Sequence, residues 1–160
     1  MVMIDNRLGN ETWLLASNKT GFLCSRKFKA SSVMRSYDWA IEQRNSGTCV
    51  IGGFHSKLEK DVLHFLLQGS QPLVIVLARG MYRRWGKRWD PLIKNRLAAG
   101  NLLIISPFED SVTKVTPQTC KIRNQLIIEL ADKLVIGYCD PIGKLAKLLK
   151  DVDKPIEYLA

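Results

Sequence analysis

Arg79, Arg83, Arg84, Lys87, Arg88, Lys94 and Arg96 crowd one short stretch of the chain, with Asp90 the single acid among them and Tyr82, Trp85 and Trp89 interleaved. Cations beside flat aromatic rings suit a ligand that is both anionic and ring-bearing: the cations follow phosphates and the rings stack on bases. The bland alternative is a solvated loop whose tryptophans pack over the edge of the fold. A second cluster opens "KIRNQLIIELADKLVIG" (Lys121–Gly137), where Lys121, Arg123 and Asn124 precede an apolar segment. Its stripe Ile122, Leu126 and Leu130 reads as a helix running to about Ala131. Cations on a first helical turn oppose the helix dipole at a cost of roughly a few tenths of a kcal/mol each. They make sense there if an anion sits in front, and otherwise form an exposed cluster.

The third candidate is "GGFHSKLE" (Gly52–Glu59). Gly52 and Gly53 either let the backbone approach a phosphate and offer it their amides, or simply make a tight turn. The spacing is neither GxxxxGK[ST] nor GxGxxG, so ATP and dinucleotides are not indicated, and no cofactor is expected. Ser56-Lys57-Leu58-Glu59 has the capping-box pattern, which makes Ser56 a helix cap rather than a nucleophile. His55 has no second ligand at metal spacing, and His64 lies beside an apolar helical stripe. The four cysteines, Cys24, Cys49, Cys120 and Cys139, contain no CxxC pair and read as reduced thiols, Cys49 and Cys139 as small buried hydrophobes. No metal site and no catalytic constellation is expected.

These residues need elements to position them. The apolar runs Thr12–Ser17, Thr48–Gly53, Leu73–Ala78, Leu102–Ser106 and Lys133–Tyr138 are short and nearly continuous, as in strands covered on both faces. Helical patterns separate them. One has Val33, Tyr37 and Ile41 after the capping candidates Ser31 and Ser32, and one follows Ser56. One is opened by Asp90-Pro91 and stopped at Gly100, and another follows Asp140-Pro141. The order predicts an α/β fold, doubly wound, with a mainly parallel sheet of about five strands and helices on both faces. The first ten or so residues have no evident partner, and the tail after Val152 reads as a loose end.

In such folds ligands gather at the carboxyl ends of the strands. Lys19, Gly52, Gly53, Ser56, Lys57, Arg79, Lys121, Arg123 and Asn124 should share that rim, along with Gly21, His55 and Lys144. The bulk numbers agree with this reading. At 160 residues and 46% apolar the chain reads as one domain, residues 1–160, with its core at about 12–150. A net charge of +9 favours anionic partners. No apolar run nears the roughly 20 residues that span a bilayer, and "MVMIDNRLGN" lacks signal-peptide architecture, so a cytoplasmic protein with no membrane partner is expected.

From about Trp13 to Lys150 the chain resembles the Rossmann-like domain of the DNA-processing protein A family (DprA, also called Smf). "TCVIGGFHSKLEKDVLHFLLQG" is similar to the family's strand, "SGLARGID" turn and helix. "QPLVIVLARGMYRRW" resembles the next strand and its basic outlet, and "AAGNLLIISPF" the element leading to its serine-containing loop. "KIRNQLIIELADKLVIG" is similar to RNRIIAGLSD followed by an apolar strand. The resemblance implies single-stranded DNA bound through its phosphates in a basic pocket, with Arg123, Asn124 and Gly53 on matching positions. It also implies a RecA-type recombinase as partner and a homodimer. The family's turn arginine falls on Ser56 with Lys57 beside it, its second arginine falls on Gln125, and 160 residues leave no room for its accessory domains. The alternative is a sensor for a nucleotide or nucleotide derivative from the wider superfamily. A nucleotide hydrolase is disfavoured, because PGGxGTxxE is missing and the rim carboxylates Glu59 and Asp140 read as capping residues.

Overall fold

The computed structural model describes residues 6–160. Seven strands, β1 (Asn6–Gly9), β2 (Thr20–Leu23), β3 (Val50–Gly52), β4 (Leu73–Val76), β5 (Leu102–Ser106), β6 (Lys133–Ile136) and β7 (Ile156–Tyr158), form one sheet in the order β1-β5-β4-β3-β2-β6-β7. All neighbours are parallel except β1, which runs antiparallel to β5. The helices are α1 (Ala30–Ser46), α2 (Lys57–Leu67), α3 (Asp90–Ala99), α4 (Pro117–Leu130) and α5 (Lys144–Leu149).

Why the strands read as unbroken apolar runs is visible in β4. Leu73 and Ile75 belong to one core with Trp39, Val62, Leu66 and Ile93 of α1, α2 and α3. Val74 and Val76 belong to a second core with Leu126, Ile127, Leu145 and Leu149 of α4 and α5. Successive side chains of a strand point to opposite faces, so a sheet covered on both sides needs an apolar residue at every position. The chain steps outward from β2 through β3 and β4 to β5. It then returns with α4 over the other face to place β6 beside β2. This is the doubly wound α/β architecture expected, with seven strands rather than about five.

Several expectations are corrected. Thr12–Ser17 is not a strand: Glu11–Leu15 forms a 3-10 helix, begun by the Asn10 side chain accepting from the Thr12 N–H, and Leu15 is 88% exposed. The first parallel strand is instead Thr20–Leu23, all four residues buried. Gly21 is what let α4 lie so close. A Cβ at this position would stand 3.2 Å from Ile127 Cγ2 of α4 and 3.0 Å from Cβ of Ala131, which ends that helix. Residues 6–9, expected without a partner, pair with β5, and part of the supposed loose tail pairs with β6; residues 1–5 lie outside the described part. Both added strands sit at the edges, where backbone pairing needs little apolar signal.

Helix starts also moved. Lys29 stands at the start of α1 without a side-chain cap, and Ser32 is buried inside the helix. Trp89 precedes α3, and Asp90 accepts from the Trp85 N–H at 2.6 Å. Asp140 turns the chain by accepting from the Ile142 N–H, so α5 begins only at Lys144. The Ser56 capping box and the Gly100 stop, at φ 77°, stand as expected. Cys49 is buried, whereas Cys139 is only half-buried.

Gly21→Ala should overpack the contact between β2 and α4 and cost about 1–3 kcal/mol. The check is urea unfolding, with a lower midpoint at unchanged slope.

Candidate nucleic-acid interface

At the carboxyl end of β3 the chain turns sharply into α2. Phe54 takes a left-handed backbone conformation, φ 51°, and its buried ring folds back over Gly52. A Cβ on Gly52 would stand 2.8 Å from Phe54 Cζ, so this glycine makes room for the ring and not for a ligand. Gly53 makes room for Arg123: a Cβ there would lie 2.5 Å from Nε and 2.8 Å from Cζ of that side chain. Inside the turn lies Glu59, 4% exposed. Its carboxylate accepts from the Ser56 hydroxyl at 2.7 Å and from the Ser56 N–H at 3.4 Å, and it is also hydrogen-bonded to the backbone of Phe54. Burial pushes the Glu59 carboxyl above its usual range, against the pull of the Arg123 charge and of those hydrogen bonds. The backbone at Phe54 and Ser56, part of the turn foreseen as a phosphate cradle, therefore already holds the protein's own acid.

Arg123 arrives from α4. That helix starts at Pro117, with Thr116 and Thr119 forming its capping box, and its first turn carries no charge. Lys121, Arg123 and Asn124 are thus beyond the first turn, and the opposition to the helix dipole does not arise. What brings Arg123 to the rim is the lean of helical side chains toward the N-terminal end. Arg123 is 4% exposed, and its Nε donates to Asn124 Oδ1 at 3.1 Å. Lys121, two residues earlier, is exposed and lies on another face of the helix.

Arg123 forms part of the wall of a pocket of about 310 Å³. The floor is apolar, from Leu63, Ile75 and Leu77; Phe54, Tyr82, Trp85 and Trp89 bring rings to it; Lys60, Arg84 and Arg123 bring charge. Tyr82 and Trp85 meet edge to face with centroids 4.9 Å apart, and Arg79 lies over the Tyr82 ring at 4.5 Å. Two acids pin this basic loop: Asp110 accepts from the Met81 N–H at 3.0 Å, and Asp90 holds Trp85. His55 lines the pocket half-buried, and its pKa is lowered from 6.5 by burial first, then by the charges of Arg123, Lys60 and Arg26.

Of the foreseen rim residues, Gly53 and Arg123 meet in the pocket, and Asn124 steadies Arg123. Ser56 and Lys57 start α2 beside it, and Arg79 backs its wall through Tyr82. Lys19 is elsewhere. Because β2 begins after it, Lys19 sits at the opposite edge of the sheet, 7% exposed, donating to the Ala16 carbonyl at 2.8 Å and 3.7 Å from Asp132. Gly21 lies under α4. The sequence reading missed Lys60, whose signal was its position three residues after Lys57 on one helix face, and Arg26, which follows the strand that was misplaced. Charge is sorted across the sheet. Among the described residues the ion pairs are Arg7–Glu11, Lys19–Asp132 and Lys133–Glu157, and none involves Lys57, Lys60, Arg79, Arg84 or Arg123. No helix among the described residues is long and apolar enough to cross a membrane.

The strand order and the two-sided helical cover define a Rossmann-like α/β domain, with a basic, ring-walled pocket at the strands' carboxyl ends. No protein-family model and no curated protein matches the chain by sequence. Solved structures share its fold. DNA processing protein A from Helicobacter pylori, described for a unique single-stranded DNA binding mode, superposes with a TM-score of 0.75 and 19% identity, covering 95% of this chain and 69% of that one. DNA processing protein A from Streptococcus pneumoniae gives 0.74 and 13%, covering 95% of this chain and 53% of its own. A molybdenum cofactor binding protein from Rippkaea orientalis gives 0.59 and 11%, over 90% and 77% of the two chains. The likeness to DNA processing protein A read from the sequence is thus present in the fold, and the chain spans about half to two thirds of those two proteins.

Removing a neighbouring charge should release His55. In Arg123→Ala its pKa, followed by NMR of the ring protons, should rise back toward 6.5. The lowered pKa means that the unfolded chain binds this proton more readily than the native one. His55 therefore makes the protein lose stability as pH falls through and below 6.5.

Proposed function

We propose that this chain is a single-stranded DNA binding module that takes phosphates on Arg123, Lys60 and Arg84 and stacks a base against Tyr82 and Trp85. The observation that carries the reading is the convergence, in one pocket, of a wall of aromatic rings and three cations, none of which is in an ion pair among the described residues. The buried Glu59 is turned inward as a cap, so the pocket keeps its positive sign. The fold shared with a DNA processing protein A that binds single-stranded DNA supports the same reading. Delivery of the strand to a RecA-type recombinase and a homodimeric state belong to the proposal by that resemblance alone. Pull-down of a purified RecA-type protein and sedimentation test them separately.

The site residues divide by role in this reading. Arg123, held by Asn124 and admitted by Gly53, is the central phosphate ligand. Lys57, Arg79 and Lys121 supply the surrounding field; Ser56 shapes the turn; Gly52 and Lys19 take no part.

A second reading is favoured by one observation, the pocket's size. About 310 Å³ is at the low end for ligand sites and suits one nucleotide. A mononucleotide sensor would show a thermal shift with nucleotides and oligonucleotide affinity independent of length.

A labelled oligothymidylate series of increasing length, titrated at two salt concentrations, decides between them. Affinity should grow with length and fall steeply with salt. Arg123→Ala should weaken binding by about 10- to 100-fold, the worth of charge-assisted hydrogen bonds, with the fold intact by circular dichroism. Trp85→Ala should cost about 1–3 kcal/mol if a base stacks there. Retained affinity in Arg123→Ala sinks the site assignment.

A further inference from the structure

The pocket holds about one nucleotide, so a longer strand must leave it across the surface, and the two flanks of the pocket differ in charge. The pocket opens at the carboxyl ends of β3 and β4. Beyond β4, toward β5 and β1, the rim carries Glu109 and Asp110, both exposed. On that side Asp110 accepts from the Asn6 side chain and from the Met81 N–H, which hold its pKa down with a smaller pull from the charge of Arg83, and the one exposed lysine of the same loop, Lys114, follows these two acids in the chain. Beyond β3, toward β2 and β6, the rim carries Arg26, Lys27 and Lys29 in one segment and Lys144 at the start of α5. All four are exposed, and none has an ion-pair partner among the described residues.

This second flank is also held in place. The Ser25 N–H donates to the Tyr138 carbonyl at 2.8 Å, and the Asp140 N–H donates to Ser25 Oγ at 2.9 Å, clipping the segment after β2 to the one after β6. Lys29 lies over the Tyr138 ring, Nζ 5.6 Å from its centroid. The only nearby acid on these segments, Asp140, is half-buried and accepts from the Ile142 N–H. A segment whose backbone is held in this way loses less entropy on meeting a ligand than a mobile loop does. The pocket is continuous with this flank electrostatically, since the charge of Arg26 bears on His55 inside it.

We propose that a single strand seated in the pocket leaves it across β2 toward β6, with Lys27 and Lys29 each taking a backbone phosphate, and not across β5. This rests on the reading of the pocket as a single-stranded DNA site. β2 and β6 lie one and two strand spacings from β3, roughly 5 and 10 Å away, which gives room for about two phosphates beyond the pocketed one.

The experiment compares the wild type, Lys27→Ala/Lys29→Ala and Glu109→Lys, each binding labelled dT12 over a salt series and thymidine 5′-monophosphate by calorimetry. The double variant should bind dT12 at least about tenfold more weakly. Its slope of log affinity against log salt should be shallower by about 1.4, two phosphates at roughly 0.7 each for a single strand. Monophosphate binding should stay within twofold, because the pocket is untouched, and Glu109→Lys should leave dT12 binding within twofold. Unchanged dT12 affinity and slope in the double variant overturns the path. So does a several-fold gain from Glu109→Lys, which would place the strand on the other flank. Equal losses for dT12 and the monophosphate would show that Lys27 and Lys29 act on the pocket itself, and would also overturn it. If wild-type protein binds the monophosphate and no dT12 at any salt, the single-strand reading fails first, and the path with it.

Discussion

The pocket depends on one buried charge arrangement: the guanidinium of Arg123 laid across the backbone of Gly53, with the carboxyl of Glu59 behind it. A guanidinium 4% exposed is costly to bury unless its hydrogen-bonding groups and its charge are answered. Here Asn124 Oδ1 accepts a hydrogen bond from its Nε–H, Glu59 supplies opposite charge, and the open side is left facing the pocket. Three elements far apart in sequence must register for this to happen. β3 must stop at Gly52, α2 must begin at a capped Ser56, and α4 must reach the rim two turns after its own start. Any side chain on Gly53 would meet the arginine, so the absence of a Cβ there is as much a part of the site as the charge.

That arrangement also bears on how the proposed anion site would hold its ligand. Helix-terminus sites hold anions with free backbone amides. At the start of α2 the carboxylate of Glu59 takes the hydrogen bonds of Ser56 and Phe54, so what the protein presents to solvent at this turn is side-chain charge. Lys60, Arg84 and Arg123 come from α2, the loop after β4 and α4, and converge because the three elements meet over the same strand ends. A site built from side chains on separate elements is set by tertiary packing, and the doubly wound sheet provides it.

How much of this could be read in the sequence differs by element. The buried central strands declared themselves, because two-sided cover forces an apolar residue at every position, and Leu102–Ser106 was delimited to the residue. β2 hid behind Gly21, a residue that weakens a strand signal and is present only because α4 presses on it. The 3-10 helix at Glu11–Leu15 imitated a strand by being apolar without being buried. β1 and β7 are edge strands held by backbone pairing, which leaves little trace in composition. In the site, Arg123, Gly53 and the aromatic wall were legible from residue type and order. The errors followed from element boundaries. Misplacing β2 put Lys19 on the wrong edge and hid Arg26, and starting α4 too late turned a mid-helix arginine into a helix-end one.

The aromatic wall has an optical consequence. The protein has four tryptophans. Trp39 is stacked on Phe22 in the core, and Trp13 donates its indole N–H to the Gly100 carbonyl near the opposite end of the sheet. Trp85 and Trp89 are the two that border the pocket. Two of the four indoles therefore stand beside the cavity, and a molecule that fills it changes their surroundings and with them the colour or brightness of light the protein gives off unaided.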